Sequence, residues 1–229
     1  MTILVAGASG ATGRLLVKQL LDRGMEVRVI VRSPDKLSAE IRGHSNLSLI
    51  HASILDLDDA ALTQHVHGCD AIASCLGHNT SLQGIYGHPR RLVTDATRRL
   101  CDAIKASNPS QPVKFVLMNT AGNRDRDLPE TVSFAEQIII RLTRLLLPPH
   151  ADNEQAAAYL RVHIGHNDPV IEWVVVRPDS LVDEADVTPY EVHPSPTRSA
   201  IFNPGTTSRI NVGHFMANLI TDPEIWNQW

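Results

Sequence analysis

The chain has 229 residues, 43% of them hydrophobic, and a formal net charge of −4 at neutral pH. That length supports one large α/β domain with a sizeable core. The small acidic surplus argues against nucleic acid or an anionic membrane as partner, and no apolar run reaches the roughly 18 residues of a membrane span.

The opening stretch Ile3-Leu4-Val5-Ala6-Gly7-Ala8-Ser9-Gly10-Ala11-Thr12-Gly13 starts as an apolar strand and ends as a ladder of glycines. Leu15, Leu16, Leu20 and Leu21 follow at helical spacing, and Gly24 is placed to cap that helix. Strand, glycine turn and helix are the context in which a dinucleotide's phosphates meet a helix N-terminus. In that reading Gly7 makes the turn, Gly10 lets the backbone touch a pyrophosphate, and Gly13 lets the helix pack on the sheet.

Further along, strand and helix signals alternate. Strands are predicted at 26–31, 47–51, 70–76, 113–118 and 171–176. A short helix begins at Ser33-Pro34-Asp35, and Asp58 caps one running to Val66. Residues 78–88 read as a loop, and 90–107 and 130–147 as helices. Pro148-Pro149 breaks the second of these and Asp152 restarts it to about His163. The segment 178–208 holds five prolines and loses its periodicity, as a long loop or substrate-side lid with short β pieces does. Val212, Phe215, Met216, Leu219 and Ile220 then mark an amphipathic helix. The alternation predicts a single-domain α/β fold over 1–229, a doubly wound parallel sheet with helices on both faces. Three cysteines, an odd number with no C-x-x-C, fit buried reduced thiols. With no signal sequence before Ile3, the expected location is cytoplasmic.

Ligands of such sheets sit at the carboxyl ends of the strands. After the first strand, Thr12 either caps the helix or reaches a phosphate. After the second comes Arg32-Ser33, where an NAD enzyme places an acid for the ribose hydroxyls. An arginine there suits a 2′-phosphate, so NADP is favoured over NAD, with Asp35 the residue that would support NAD. After the third, Asp56 either accepts from the adenine amino group, with Leu57 packing the ring, or caps the next helix. After the fourth come Leu76, Gly77 and His78, with the histidine either an acid–base group or a solvated loop residue. After the fifth come Asn119 and Thr120, the threonine a donor to a substrate carbonyl or a partner for its own backbone. After the sixth, Pro178 starts the segment that crosses the cofactor. His65-x-His67 lacks a third ligand at a sensible spacing and reads as a solvated helix end.

Together the G-A-S-G-A-T-G-R opening, V-R-S-P-D-K-L, Asp56-Leu57 and V-V-V-R-P resemble the atypical short-chain dehydrogenase/reductases. The resemblance spans nearly the whole chain. It points to the NAD(P)H-binding subgroup that includes NmrA-like proteins and the flavin reductase/biliverdin reductase B type. It implies a Rossmann-type fold that binds the nucleotide through Gly7, Ser9, Gly10, Ala11, Thr12 and Gly13, Arg32 and Ser33, Asp56 and Leu57, Leu76, Gly77 and His78, Asn119 and Pro178. The family's Tyr-x-x-x-Lys dyad has no counterpart: Tyr159 is followed by His163, and Pro149 and Asn153 fall where the pair would stand. His214 stands near the place of an aspartate in the family's closing element. In the flavin-reducing branch a hydroxyl after the fifth strand accompanies hydride transfer, and Thr120 matches it. Glu154 either supplies a proton or is a surface glutamate.

These readings lead to an NADPH-dependent oxidoreductase acting on a flavin, quinone or other planar small-molecule acceptor, with no metal. The alternative is a non-catalytic NADP(H)-binding redox sensor that passes the signal to a partner protein. The expected state is monomer or homodimer. The apolar stretch 138–147 forms either a subunit interface or a helix lying across the sheet.

Overall fold

The computed structural model describes residues 1–79, 81–128, 130 and 134–229. Its strands are β1 (Thr2–Ala6), β2 (Glu26–Val31), β3 (Leu47–His51), β4 (Ala71–Ser74), β5 (Val113–Met118), β6 (Ile171–Val176), β7 (Ser180–Val182) and β8 (Thr206–Ser208). Its α-helices are α1 (Ala11–Asp22), α2 (Ala39–Arg42), α3 (Asp59–Val66), α4 (Leu82–Tyr86), α5 (Leu92–Ala106), α6 (Phe134–Leu146), α7 (Pro148–Tyr159), α8 (Arg209–Thr221) and α9 (Pro223–Trp226). The first six strands form one sheet in the order β3-β2-β1-β4-β5-β6, all parallel. This is a single-domain Rossmann-type fold, with the strand order reversing between β1 and β4.

Alternating side chains assign the two faces of the sheet. Ile3 and Val5 of β1 enter one core with Leu16, Val17 and Leu20 of α1 and Met216, Leu219 and Ile220 of α8. Leu4 and Ala6 enter the other with Leu62 of α3, Leu100 and Ile104 of α5, and Ala156 of α7. Both sides of β1 are therefore dry, which is why it reads as an unbroken apolar run.

The turn between β1 and α1 is set by two close approaches. Gly7 has φ +78°, and a Cβ on it would stand 2.5 Å from the Cys75 carbonyl oxygen that follows β4. A Cβ on Gly13 would stand 2.2 Å from the Gly7 carbonyl oxygen, so Gly13 packs α1 onto the turn rather than onto the sheet. Gly24, at φ +73°, closes α1, with its N–H bonded to the Leu21 carbonyl at 2.8 Å.

Several boundaries differ from the sequence reading. Residues 78–88 hold a helix, α4, capped by Ser81. Pro148 and Pro149 occupy the first turn of α7, where a missing N–H is harmless, so they open this helix as well as ending α6. Asp152 therefore lies inside α7 rather than at its start, and the helix runs on as a π-helical turn over Leu160–Ile164. α2 and α9 are too short to leave a periodic signature. The expected helix over 130–147 is seen from Phe134, and residues 131–133 lie outside the described residues. Within 178–208, β7 and β8 pair with each other in parallel. No helix among the described residues is long and apolar enough to cross a membrane.

Gly13→Ala is expected to destabilise the protein by about 1–3 kcal/mol, because the added methyl meets backbone that cannot yield. Urea unfolding against the parent chain checks this. An unchanged midpoint would show that the turn is looser than its geometry.

Candidate nucleotide site and adjoining pocket

The N-terminus of α1 abuts the Gly7 turn, with no side-chain cap and no acidic residue in its first turn. Gly10 is the N-cap residue, its N–H bonded to the Gly7 carbonyl at 2.9 Å. The N–H groups of Ala11, Thr12 and Gly13 have no partner within the helix, and the positive end of the helix faces outward. Thr12 is buried and does not cap, which removes one of its two readings. Gly10 and Ala11 are exposed, and Ser9 is half-buried. A phosphate placed here meets free donors and no competing charge, so these residues fit a dinucleotide.

Arg32 directly follows β2, beside the strand that carries the glycine turn. Its side chain is exposed and forms no ion pair among the described residues, while its carbonyl lies 3.1 Å from His51 Nε2. Ser33 precedes a 3₁₀ turn over Pro34–Lys36 and is half-buried. After β3, the α3 cap is Asp58, whose carboxylate accepts from the Ala61 N–H at 2.7 Å. Asp56 is thus relieved of capping and stands exposed beside half-buried Leu57. Arg99 of α5 holds this turn through the Ile54 and Leu57 carbonyls. Leu76 is half-buried, and a Cβ on exposed Gly77 would meet nothing within 4 Å.

His78 is placed otherwise than a cleft acid or base. Its ring is 5% exposed, with Nδ1 3.1 Å from the Gly84 carbonyl oxygen and Nε2 2.8 Å from Asp152 Oδ2. Asp152 also accepts from the Val93 and Thr94 N–H groups at 2.8 and 2.9 Å. A carboxylate on α7 therefore caps α5 and anchors the loop after β4. The signal for this was the absence of an N-cap side chain at Arg91, where α5 begins.

The loop after β5 is fastened in the same manner. Asn119 is buried; its Nδ2 donates to the Asn153 carbonyl at 2.9 Å and its Oδ1 accepts from the Thr120 N–H at 2.9 Å. Thr120 Oγ1 accepts from the Gly122 N–H at 3.3 Å. The buried Pro178 takes the Ala121 N–H on its carbonyl at 2.9 Å. Arg177 ties the loops after β5 and β6, donating to the Asn123 carbonyl at 2.9 Å and pairing with Glu130 at 2.7 Å. Glu154 is held by Arg144 in a two-pronged ion pair.

One residue that sequence reasoning passed over belongs here. His150 Cε1 and Thr120 Oγ1 each lie 3.7 Å from the point where a Gly122 Cβ would stand. His150 Nε2 is enclosed without a hydrogen-bond partner among the described residues, and burial lowers the imidazole's pKa, so the ring is neutral at pH 7. Tyr159 is drawn the other way: burial pushes its phenol up to about 12, and it stacks on His163 with ring centroids 5.1 Å apart. A phenol so raised is no substitute for the tyrosine of the missing dyad. Burial also pushes the Cys69 thiol to about 11 and the Cys75 thiol to about 12, as befits inert core thiols.

A prominent cavity lies away from the glycine turn. A groove of about 790 Å³ runs along the free edge of β6, from Trp173 to Pro178, between α7 and residues 190–197. Tyr190 docks that segment on α8 through His214 at 2.9 Å, and Thr188 does so through Asn211 at 3.0 Å. Among the described residues no group of three or more His, Cys, Asp or Glu could hold a metal ion.

A doubly wound sheet, a glycine turn at its switch point and an uncapped helix N-terminus define a nicotinamide-dinucleotide-binding protein. Residues 7–223 match the model of the NAD(P)H-binding family, and the chain belongs to that family. An uncharacterised chloroplastic protein of Arabidopsis thaliana is 35% identical over 57 residues, 25% of this chain and 20% of that protein. Three solved structures share the fold. A proposed NAD-dependent epimerase/dehydratase of Bacillus halodurans has a TM-score of 0.71 at 18% identity, covering 98% of this chain and 90% of its own. A proposed NADH-flavin reductase of Streptococcus pneumoniae has a TM-score of 0.63 at 19% identity, covering 96% and 92%. The anaerobillin reductase ChuY of Escherichia coli has a TM-score of 0.63 at 16% identity, covering 97% and 92%.

Asp152→Ala is expected to destabilise the protein by about 3–5 kcal/mol, because it strands a buried histidine and two helix N–H groups. Denaturant unfolding reads the loss. A change below about 1 kcal/mol would show that the carboxylate is not the anchor described.

Proposed function

We propose that this protein is an NADPH-dependent reductase of a planar small-molecule acceptor such as a flavin or quinone. The observation that carries the reading is the uncapped N-terminus of α1 beside the unpaired guanidinium of Arg32. The α1 N–H groups take the pyrophosphate, and Arg32 with Ser33 takes the adenosine 2′-phosphate, which NADH lacks. Asp56 and Leu57 receive the adenine, and the backbone from Leu76 to His78 borders the ribose next to the nicotinamide. Bound NADPH supplies a hydride from its nicotinamide ring. Thr120 and the neutral imidazole of His150 are the donors at the carboxyl end of β5, where the acceptor's developing negative charge is stabilised by hydrogen bonds. Water supplies the proton that completes the reduction, since Glu154 is engaged with Arg144.

The sensor reading rests on a different observation. Ile138, Leu142, Leu145 and Leu146 of α6 are 42–79% exposed, an apolar stripe of the kind that receives a partner protein. The two readings divide on turnover.

Titration with NADPH and NADH, followed by addition of FMN and a simple quinone, tests the proposal. Tight NADPH binding with oxidation on adding acceptor is expected. Binding without turnover across a panel of acceptors would transfer the protein to the sensor class. Arg32→Ala is expected to weaken NADPH roughly tenfold and leave NADH unchanged, since it removes a charge-assisted phosphate contact. Equal weakening of both nucleotides would overturn the NADP preference.

His150→Gln is expected to lower kcat roughly tenfold or more while the NADPH dissociation constant holds. Stopped-flow oxidation of NADPH at saturating acceptor reads this. An unchanged kcat would remove His150 from the reaction.

A further inference from the structure

Beside the β5 loop lies a second cavity, of about 400 Å³. Its wall includes Gly122, Ile140 and four arginines: Arg124, Arg126, Arg141 and Arg144. The one acid lining it, Glu154, is occupied by the two-pronged pair with Arg144. The other three arginines make no ion pair among the described residues. Of the neighbouring acids, Asp127 pairs with Arg161 and His166, each at 3.1 Å, and Asp125 forms no ion pair with the arginines among the described residues but accepts from the Asp127 N–H at 2.9 Å. In a chain whose formal net charge is −4, three guanidinium groups without an ion pair among the described residues thus line one pocket. The pocket adjoins the reacting end of the site, because the Gly122 N–H is bonded to Thr120 Oγ1.

We propose that the acceptor carries an acid group, a phosphate or a carboxylate, held among Arg124, Arg126 and Arg141. This rests on the reductase reading and names its substrate class. A guanidinium offers a planar fork of donors matched to either oxyanion, and Ile140 gives the adjoining carbon skeleton an apolar contact. Like-signed charges in one cleft also steer an anion toward it.

FMN and riboflavin differ only by a phosphate, so they are the probes. Flavin fluorescence quenching, with no nucleotide present, gives each dissociation constant independently of turnover. FMN is expected to bind about tenfold tighter, with the gap shrinking as salt rises. In the Arg124→Gln, Arg126→Gln, Arg141→Gln triple variant the FMN constant moves to that of riboflavin, and each single variant closes part of the gap. A naphthoquinone carboxylate compared with its amide tests the other source, and preference for the carboxylate alone identifies a carboxylic acid as the group bound. No preference in either pair, or a preference that survives the triple variant, overturns the proposal. Equal constants with NADPH turnover sink the acid-group site and leave the reductase standing. A salt-sensitive FMN preference without turnover does the reverse, and it needs no variant to fold.

Discussion

The buried carboxylate of Asp152 is the constraint on which the working end of this molecule depends. It accepts hydrogen bonds from two backbone N–H groups at the start of α5 and lies 2.8 Å from the His78 ring. Next to it, the Asn153 carbonyl receives the Asn119 amide. One turn of α7 therefore sets the loop after β4, the loop after β5 and the α5 N-terminus together. A carboxyl group 1% exposed is tolerated because hydrogen bonds satisfy its oxygens. The same helix carries His150 and Glu154, so the anchor and the groups beside the β5 loop share one element.

The glycine turn is arranged differently, by exclusion of side chains. Gly7 lies against the carbonyl that follows β4, and Gly13 against the carbonyl of Gly7 itself. Both contacts are backbone to backbone, so the first turn of α1 is held at the switch point of the sheet. The helix leaves its first N–H groups unused, an arrangement stable in water and better satisfied by an anion.

Between these two ends the protein supplies few groups for acid–base chemistry. Tyr159 is half-buried with its phenol pushed up to about 12, His78 is a strut, and Glu154 is paired with Arg144. Near the carboxyl end of β5 stand the Thr120 hydroxyl and the neutral imidazole of His150. α6 is two-faced: Arg141 and Arg144 turn to the pocket, while Leu142, Leu145 and Leu146 turn to solvent.

The sequence by itself determined what depends on local pattern. Four predicted strands, at Glu26–Val31, Leu47–His51, Val113–Met118 and Ile171–Val176, match the structure end for end, because each is a short run rich in Val, Ile, Leu or aromatic residues between turn signals, even where the edge strands expose Ser48, His51 and Glu172. The glycine turn and the α1 stop at Gly24 were legible because backbone geometry demands particular residues there. Tertiary structure alone decided how side chains distant in the chain share one polar group. Asp152 read as a helix start because a lone aspartate after two prolines has the composition of a cap; it is a cap, but for N–H groups 59 and 58 residues earlier. His150 and the arginines of the second cavity carried no motif, since their meaning arises from convergence on Gly122 across three segments of the chain. Spacing records what neighbours in sequence do, and burial, which comes only with the packed fold, determines which distant polar groups must satisfy one another.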